Sequence, residues 1–375
     1  MTTATTPSAP SKKTASDRIL NFSAGPAVLP EEVLHQAQHD IWNIFDSGIG
    51  IMEHSHRGKA FDRVMDEAVA DCRAIGTISE DYHVLLLQGG ATTQFAMIPM
   101  SFLHQGRIAD YPDTGVWTTK AIKEAKLFGN VNVAFEGAKC GYDHTPSDDE
   151  ITQSKDAAYF HYCSNNTIYG TRYNKPPRTG APLVADMSSE MFSRPIDVNR
   201  HALIYAGAQK NLGPAGVTLV ILRKDFASTA KKGLPSMFDY SKLAEQDSRL
   251  NTPPTFGIYV MGQVFKWILG QGGLAAIETR NERKAKFIYD VIDASGGFYR
   301  GVSRSDCRSR MNITFRCQTP ELDSAFVAGA KVEGMDGLKG HRDAGGLRAS
   351  VYNAFPVAGC ERLAQFMREF AAKNG

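Results

Sequence analysis

Apolar residues recur at three- and four-residue spacing through Phe61, Val64, Met65, Ala68, Val69, Cys72 and Ile75, and the series stops at Gly76. That spacing gathers side chains on one face of a helix. It predicts an amphipathic helix with Gly76 as its C-cap. Short, continuously apolar runs occupy residues 84–87, 131–134, 157–162, 183–185, 203–205 and 217–222. Such runs suit strands buried on both faces. Helical patterns lie between them, from about Thr93 and over residues 117–127. Strands alternating with helices predict an α/β fold, with a largely parallel sheet covered on both sides.

The pattern changes after Gly270-Gln271-Gly272-Gly273. A long charged helix over residues 277–292 is expected, then strands near 311–315 and 347–351. A terminal helix carries Leu363, Phe366, Met367 and Phe370 on one face. This reads as a smaller α+β domain. The expected division is a disordered tail at 1–16, a segment at 17–30 packing with the small domain, a large domain at 31–272 and a small domain at 273–375. The first sixteen residues have no apolar stretch, so a secretory signal is not expected, and they lack the arginines of a transit peptide.

Composition narrows the function. Lys plus Arg minus Asp plus Glu is 42 − 40 = +2 over 375 residues. That balance lacks the basic excess of a nucleic-acid-binding surface. The most apolar stretch, residues 255–269, is too short for a membrane span and contains Lys266. Six cysteines without a CxxC pair suggest neither a zinc site nor a disulfide framework. A reduced, cytoplasmic setting is expected.

The chemistry is sought just past the strands, where open α/β sheets bind their ligands. Gln88-Gly89-Gly90-Ala91-Thr92-Thr93 turns from a strand into a helix, and helix-start N–H groups suit a phosphate. It is neither GxGxxG nor a P-loop, which weakens dinucleotide and nucleoside-triphosphate readings. Asp186 follows the run at 183–185, where a buried acid needs a partner or serves as an N-cap. Lys210 stands among small residues in Ala206-Gly207-Ala208-Gln209-Lys210-Asn211-Leu212-Gly213. A desolvated lysine becomes a nucleophilic amine fit for a Schiff base. A strand-end acid, a lysine and a phosphate-ready helix start together meet the needs of pyridoxal phosphate. Trp117 has the ring to stack on that cofactor, or to fill the core. A second constellation is cationic: His56-Arg57, His341-Arg342 and Arg348. Arginine binds carboxylate and phosphate through its fork, so an anionic substrate is expected. His54 and His56 lack a matching set of carboxylate and histidine ligands, so no metal is expected.

These stretches resemble the class V aminotransferase family, which has the fold type I architecture of pyridoxal-phosphate enzymes. The resemblance rests on Asn21-Phe22-Ser23-Ala24-Gly25-Pro26, Ser55-His56-Arg57-Gly58-Lys59, Ala185-Asp186-Met187-Ser188-Ser189 and Ser193-Arg194-Pro195-Ile196-Asp197. It rests further on Tyr205 through Gly216, on Asn251-Thr252-Pro253-Pro254-Thr255-Phe256, on Leu338-Lys339-Gly340-His341-Arg342 and on Gly346-Leu347-Arg348-Ala349-Ser350. It implies a mainly parallel seven-stranded sheet plus a smaller α+β domain. Lys210 is implied to be the Schiff-base lysine and proton-transfer base, Asp186 the partner of the pyridine nitrogen, and Trp117 the stacking ring. Ala91, Thr92, Thr167 and Gln209 are implied to contact the cofactor. Asn251 and Thr252 are implied to reach the cofactor phosphate of a partner subunit, which makes a homodimer with shared sites. His56 and Arg57 are implied to bind the substrate's distal anion, helped by His341 and Arg342 from the partner, while Arg348 receives the α-carboxylate. Some members carry arginine where this chain has Thr92, and serine where it has Ala24.

The implied reaction is reversible transamination of 3-phosphohydroxypyruvate with L-glutamate, giving O-phospho-L-serine and 2-oxoglutarate. The related 4-phosphohydroxythreonine is a further candidate substrate. The rival readings are another class V aminotransferase, a cysteine desulfurase, which would need a reactive cysteine on a mobile loop, and a non-catalytic relative.

Overall fold

The computed structural model describes residues 18–375, and the expected tail at 1–16 lies outside them. The chain begins with β1 (Leu20–Asn21), α1 (Glu31–Trp42), α2 (Lys59–Gly76), β2 (Tyr82–Gln88), α3 (Ala91–Phe102), β3 (Ile108–Asp113), α4 (Val116–Ala125) and β4 (Asn130–Glu136). Then come β5 (Phe160–Cys163), β6 (Leu183–Asp186), β7 (Leu203–Gly207), β8 (Val217–Arg223), α5 (Lys224–Ser228), α6 (Tyr240–Glu245) and α7 (Thr255–Gly270). It ends with α8 (Gly273–Ala294), β9 (Arg300–Gly301), β10 (Asn312–Arg316), α9 (Pro320–Val332), β11 (Met335–Asp336), β12 (Leu347–Ser350) and α10 (Val357–Asn374).

Seven strands make one sheet in the order β2-β8-β7-β6-β5-β3-β4. The pairs from β7 through β4 are parallel, whereas β8 runs antiparallel to both β7 and β2. The apolar run of β8 does not encode this reversal, because a doubly covered strand is apolar throughout in either direction. Alternation decides which face each side chain serves. Ile204, Ala206, Leu219 and Ile221 pack with α2 and α7, while Leu203, Tyr205, Val220 and Leu222 pack with α3, α4 and α6. Each such aliphatic side chain contributes about 1.5–3 kcal/mol by leaving water.

Strand β3 was not legible as an apolar run, for it reads Ile-Ala-Asp-Tyr-Pro-Asp. Its buried Asp110 accepts from Asn132 Nδ2 (3.0 Å), Ser154 N (2.8 Å) and Ser154 Oγ (2.6 Å). Three donors offset the desolvation of that carboxylate. Pro112 sits where the β3–β4 register shifts, so its missing N–H falls at an irregularity. The C-cap of α2 also differs from expectation. Thr77, at φ 50°, takes the left-handed position, and Gly76 stays helical. A Cβ on Gly76 would lie 2.9 Å from Ile78 Cγ1, so close packing explains this glycine.

The C-terminal elements surround a separate apolar cluster that includes Ile288, Phe315, Phe326, Leu347 and Leu363. Its sheet has the order β12-β10-β9 and is antiparallel. Phe22 belongs to this cluster, and β1 pairs with β11 in parallel. The N-terminal segment therefore crosses to the C-terminal elements before α1 begins. No helix among the described residues is long and apolar enough to cross a membrane.

Candidate active site

Parallel strands β5, β6 and β7 end side by side, and their registers fix the centre of the site. Cys163 is opposite Asp186, and Asp186 is opposite Tyr205. Past β7 the chain turns tightly, with Leu212 N and Gly213 N both donating to Ala208 O. This turn buries Lys210, which is 9% exposed. Lys210 Nζ donates to Thr167 Oγ1 at 2.8 Å. Burial pushes the Lys210 ammonium down from its ordinary range, Asp186 and Cys163 oppose the shift, and Arg348 adds to it. The amine is thus released from its proton more readily than a surface lysine. Asp186 accepts from Ser188 N at 2.9 Å through one oxygen, and its other oxygen has no partner among the described residues.

Three further pieces close the cavity. Helix α3 starts at Ala91 with Gly90 as N-cap, so the first N–H groups of the helix face the opening free of side-chain caps. Trp117 stands in the first turn of α4, and Lys210 Nζ lies 5.6 Å from its ring centroid. Gly115, the N-cap of α4, has φ 142°, and a Cβ there would meet Asn166 Nδ2 at 2.1 Å. Only glycine lets the helix carrying Trp117 lie that close to the Thr167 turn. Gly90, Ala91, Thr92, Trp117, Asn165, Thr167, Asp186, Ser188, Ser189, Gln209 and Lys210 line a cavity of about 110 Å³. Asn165, Ser188 and Ser189 were not assigned a role from sequence, although the two serines follow Asp186 after one residue.

Arg348, on β12, joins this group from the C-terminal elements. Its Nη1 donates to Thr167 O at 3.2 Å, and its buried Nε has no partner. Burial lowers its pKa, and no acidic side chain pairs with it among the described residues. Burial pushes the His341 pKa down, Asp343 opposes the shift, and the charges of Arg348, Arg342 and Lys120 add to it. Lys120 Nζ is in turn 4.8 Å from the Trp117 ring centroid. Within one chain, His341 thus lies in the field of Arg348, which in turn reaches Thr167 at the cavity wall. Among the described residues no hydrogen bond or ion pair joins His56-Arg57 to Lys210, and His56 Nε2 is buried without a partner. Asn251 also lies off the cavity, donating to Gln88 Oε1 at 2.7 Å, and Thr252 beside it is exposed.

The donor set fits pyridoxal phosphate. A buried amine with a single hydroxyl partner, a half-paired carboxylate, an uncapped helix start and a Trp117 Nε1 without an acceptor all face one cavity. Five of the six cysteines are buried, and burial pushes their thiols up. None of these five has the exposed setting that a desulfurase nucleophile needs. Cys140, Asp143 and His144 offer ligand atoms within 4.8 Å of one another. His144, however, spends both ring nitrogens on Asp143 (2.6 Å) and Glu150 (3.2 Å), and Arg304 holds Asp143 at 3.0 Å.

The chain belongs to the class V aminotransferase family, whose model matches residues 19–363. It is 51% identical over 358 residues to the phosphoserine aminotransferase of Herpetosiphon aurantiacus, covering 95% of this chain and 99% of that one. It is 50% identical over 361 residues to that of Niallia circulans, covering 96% and 100%. Among solved structures, the phosphoserine aminotransferase from Bacillus circulans subsp. alkalophilus superposes with a TM-score of 0.94 at 49% identity, covering 96% and 100%. The pyridoxal-phosphate-bound enzyme from Trichomonas vaginalis gives 0.89 at 38% identity, covering 94% and 100%. The mostly parallel seven-stranded sheet is that of fold type I aminotransferases.

Proposed function

We propose that the chain catalyses phosphoserine transamination: 3-phosphohydroxypyruvate and L-glutamate are exchanged reversibly for O-phospho-L-serine and 2-oxoglutarate. The observation carrying this reading is that Lys210 and Asp186 line one cavity whose wall residue Thr167 is held by Arg348, an arginine with no acidic partner among the described residues, in a chain about half identical to phosphoserine aminotransferases over nearly its whole length.

Pyridoxal phosphate, when bound, supplies an electron sink that stabilises negative charge at the substrate Cα. Asp186 would hold the proton on its pyridine nitrogen. The N–H groups of Ala91 and Thr92 would hold its phosphate, with Thr167 and Gln209 alongside and Asn251 and Thr252 reaching it from a partner subunit. Trp117 offers a flat apolar face for the ring. Lys210 would carry the cofactor and move the proton at the substrate Cα, helped by its lowered pKa. Arg348 takes the α-carboxylate through its fork. His341 and Arg342 meet the distal phosphate or carboxylate from the same subunit, and His56 and Arg57 from the partner.

The homodimer rests on a surface argument. Ile41, Trp42, Phe45, Ile49 and Met52 are 45%, 85%, 39%, 44% and 61% exposed within one short stretch. Single exposed apolar residues are ordinary, but a contiguous patch marks an interface. Phe45 and Asp46 sit at φ 53° and 55°, an uncommon backbone for such side chains. A Cβ on Gly50 would lie 1.9 Å from Ile41 O, so this loop folds tightly back on α1. The patch leads directly into His56-Arg57, so a second copy seated on it would bring that pair with it. The free cysteines accord with a cytoplasmic enzyme.

Arg348→Ala is expected to lower kcat/KM by about 100- to 1,000-fold for every amino-acid substrate, since a buried charge pair truncated on one side costs about 2–5 kcal/mol. Steady-state kinetics with L-glutamate and with O-phospho-L-serine check this. The phosphate preference is tested separately. O-phospho-L-serine should exceed L-serine as amino donor by about 100-fold or more in kcat/KM, and equal turnover of the two would refute a distal-anion site.

A further inference from the structure

Lys284 is completely buried in the middle of α8, and no carboxylate pairs with it among the described residues. Its Nζ instead donates to three successive carbonyls: Val351 O (2.9 Å), Tyr352 O (2.6 Å) and Asn353 O (3.5 Å). A buried ammonium without an anion is among the most expensive groups a core can hold. Here the carbonyl dipoles are what replaces its water.

The segment it grips is a junction. Residues 351–353 directly follow β12, the strand that carries Arg348. Asn353 N donates to Asn211 Oδ1 at 3.0 Å, one residue beyond Lys210. The Asn353 side chain donates to Phe192 O (2.8 Å) and accepts from Asn281 Nδ2 (2.8 Å). Tyr352 Oη donates to Ala24 O (2.8 Å) and accepts from Asn312 Nδ2 (3.1 Å). Lys284 thus holds the piece of backbone through which the C-terminal elements meet the lysine turn.

We infer that Lys284 is a positioning residue: its Nζ–H donors hold the 351–353 backbone and thereby set Arg348 and the Lys210 turn at a constant distance. It touches neither substrate nor cofactor. The inference rests on the reading of Arg348 as the α-carboxylate receptor. Burial pushes the Lys284 ammonium down to about 7, and the ionisable groups acting on it are Cys360 on α10 and Arg280 on its own helix. Between pH 7 and 10.5 the unfolded lysine keeps a proton that the folded one has released. Stability therefore rises with pH across that window on account of this residue.

Lys284→Met keeps the length and apolar character of the side chain and removes its donors. In the holoenzyme, KM for L-glutamate and for O-phospho-L-serine is expected to rise about tenfold, the effect of one 1.4 kcal/mol contact. kcat should fall less than about threefold, and retention of pyridoxal phosphate should be unchanged. The rise of stability with pH between 7 and 10.5 should be shallower in Lys284→Met than in the parent. A folded Met variant with parental KM values overturns the inference, as do parallel stability profiles. If Arg348→Ala raises KM and Lys284→Met does not, the inference fails alone. If Arg348→Ala leaves KM unchanged, the reading of Arg348 fails first. Should the Met variant not fold, Lys284→Leu, which likewise removes the donors, carries the same measurement. Failure of both to fold overturns the positioning role in favour of a purely structural one.

Discussion

Lys210→Ala abolishes transamination, with a loss on the order of 10,000-fold or more in kcat. The expectation follows from position. The Lys210 amine is buried at the carboxyl end of β7, its one hydrogen bond goes to Thr167, and burial has already loosened its proton. Removing a positioned acid–base group costs about 100- to 10,000-fold, and Lys210 also carries the cofactor, so the two losses compound. The fold should survive. The turn is held by backbone bonds to Ala208 and by Asn211, none of which needs the Lys210 side chain. Thermal melting close to the parent, together with loss of the visible absorbance that pyridoxal phosphate gives when joined to a lysine, completes the expected result. A variant turning over at a tenth of the parental rate or better would remove Lys210 from the chemistry.

Trp42→Glu is expected to dissociate the enzyme and to silence it at the same time. Trp42 is 85% exposed on α1, beside Ile41, Phe45, Ile49 and Met52. A central aromatic at an interface contributes about 2–4 kcal/mol, so a carboxylate in its place weakens association by on the order of 100- to 1,000-fold. Nothing inside the subunit depends on the indole, so the monomer should keep its helical content. The proposal that His56 and Arg57 serve the neighbouring cavity requires activity to fall in step with the dimer fraction. Sedimentation and activity measured over the same dilution series check this. Full activity from a monomer would show that one chain suffices.

Much of this was legible in the sequence, and for identifiable reasons. Strand-end placement drew attention to Asp186, and the small residues around Lys210, close behind a buried strand, drew attention to that lysine. Helix α2 was readable because its apolar stripe repeats for over four turns. Strand β3 was not, since Asp110 and Pro112 mimic a loop until their tertiary partners are known. The reversed direction of β8 was hidden because direction leaves no mark on a fully buried strand. The place of Arg348 beside Thr167 depends on how the C-terminal elements dock, which no local pattern records. Lys284 did leave a signal. It falls in the apolar register of α8 with Ile277, Ala285, Ile288 and Ile292, where a surface lysine would break the pattern.

The central claim is tested most directly by one panel on the purified holoenzyme: L-glutamate as donor, with 3-phosphohydroxypyruvate, pyruvate, glyoxylate and oxaloacetate as acceptors, and 2-oxoglutarate formation as the readout. The account predicts that 3-phosphohydroxypyruvate exceeds every other acceptor by about 100-fold or more in kcat/KM, because only it places a phosphate opposite His341, Arg342, His56 and Arg57. Comparable turnover of pyruvate or glyoxylate, or no turnover of 3-phosphohydroxypyruvate by a folded, cofactor-loaded dimer, would contradict it.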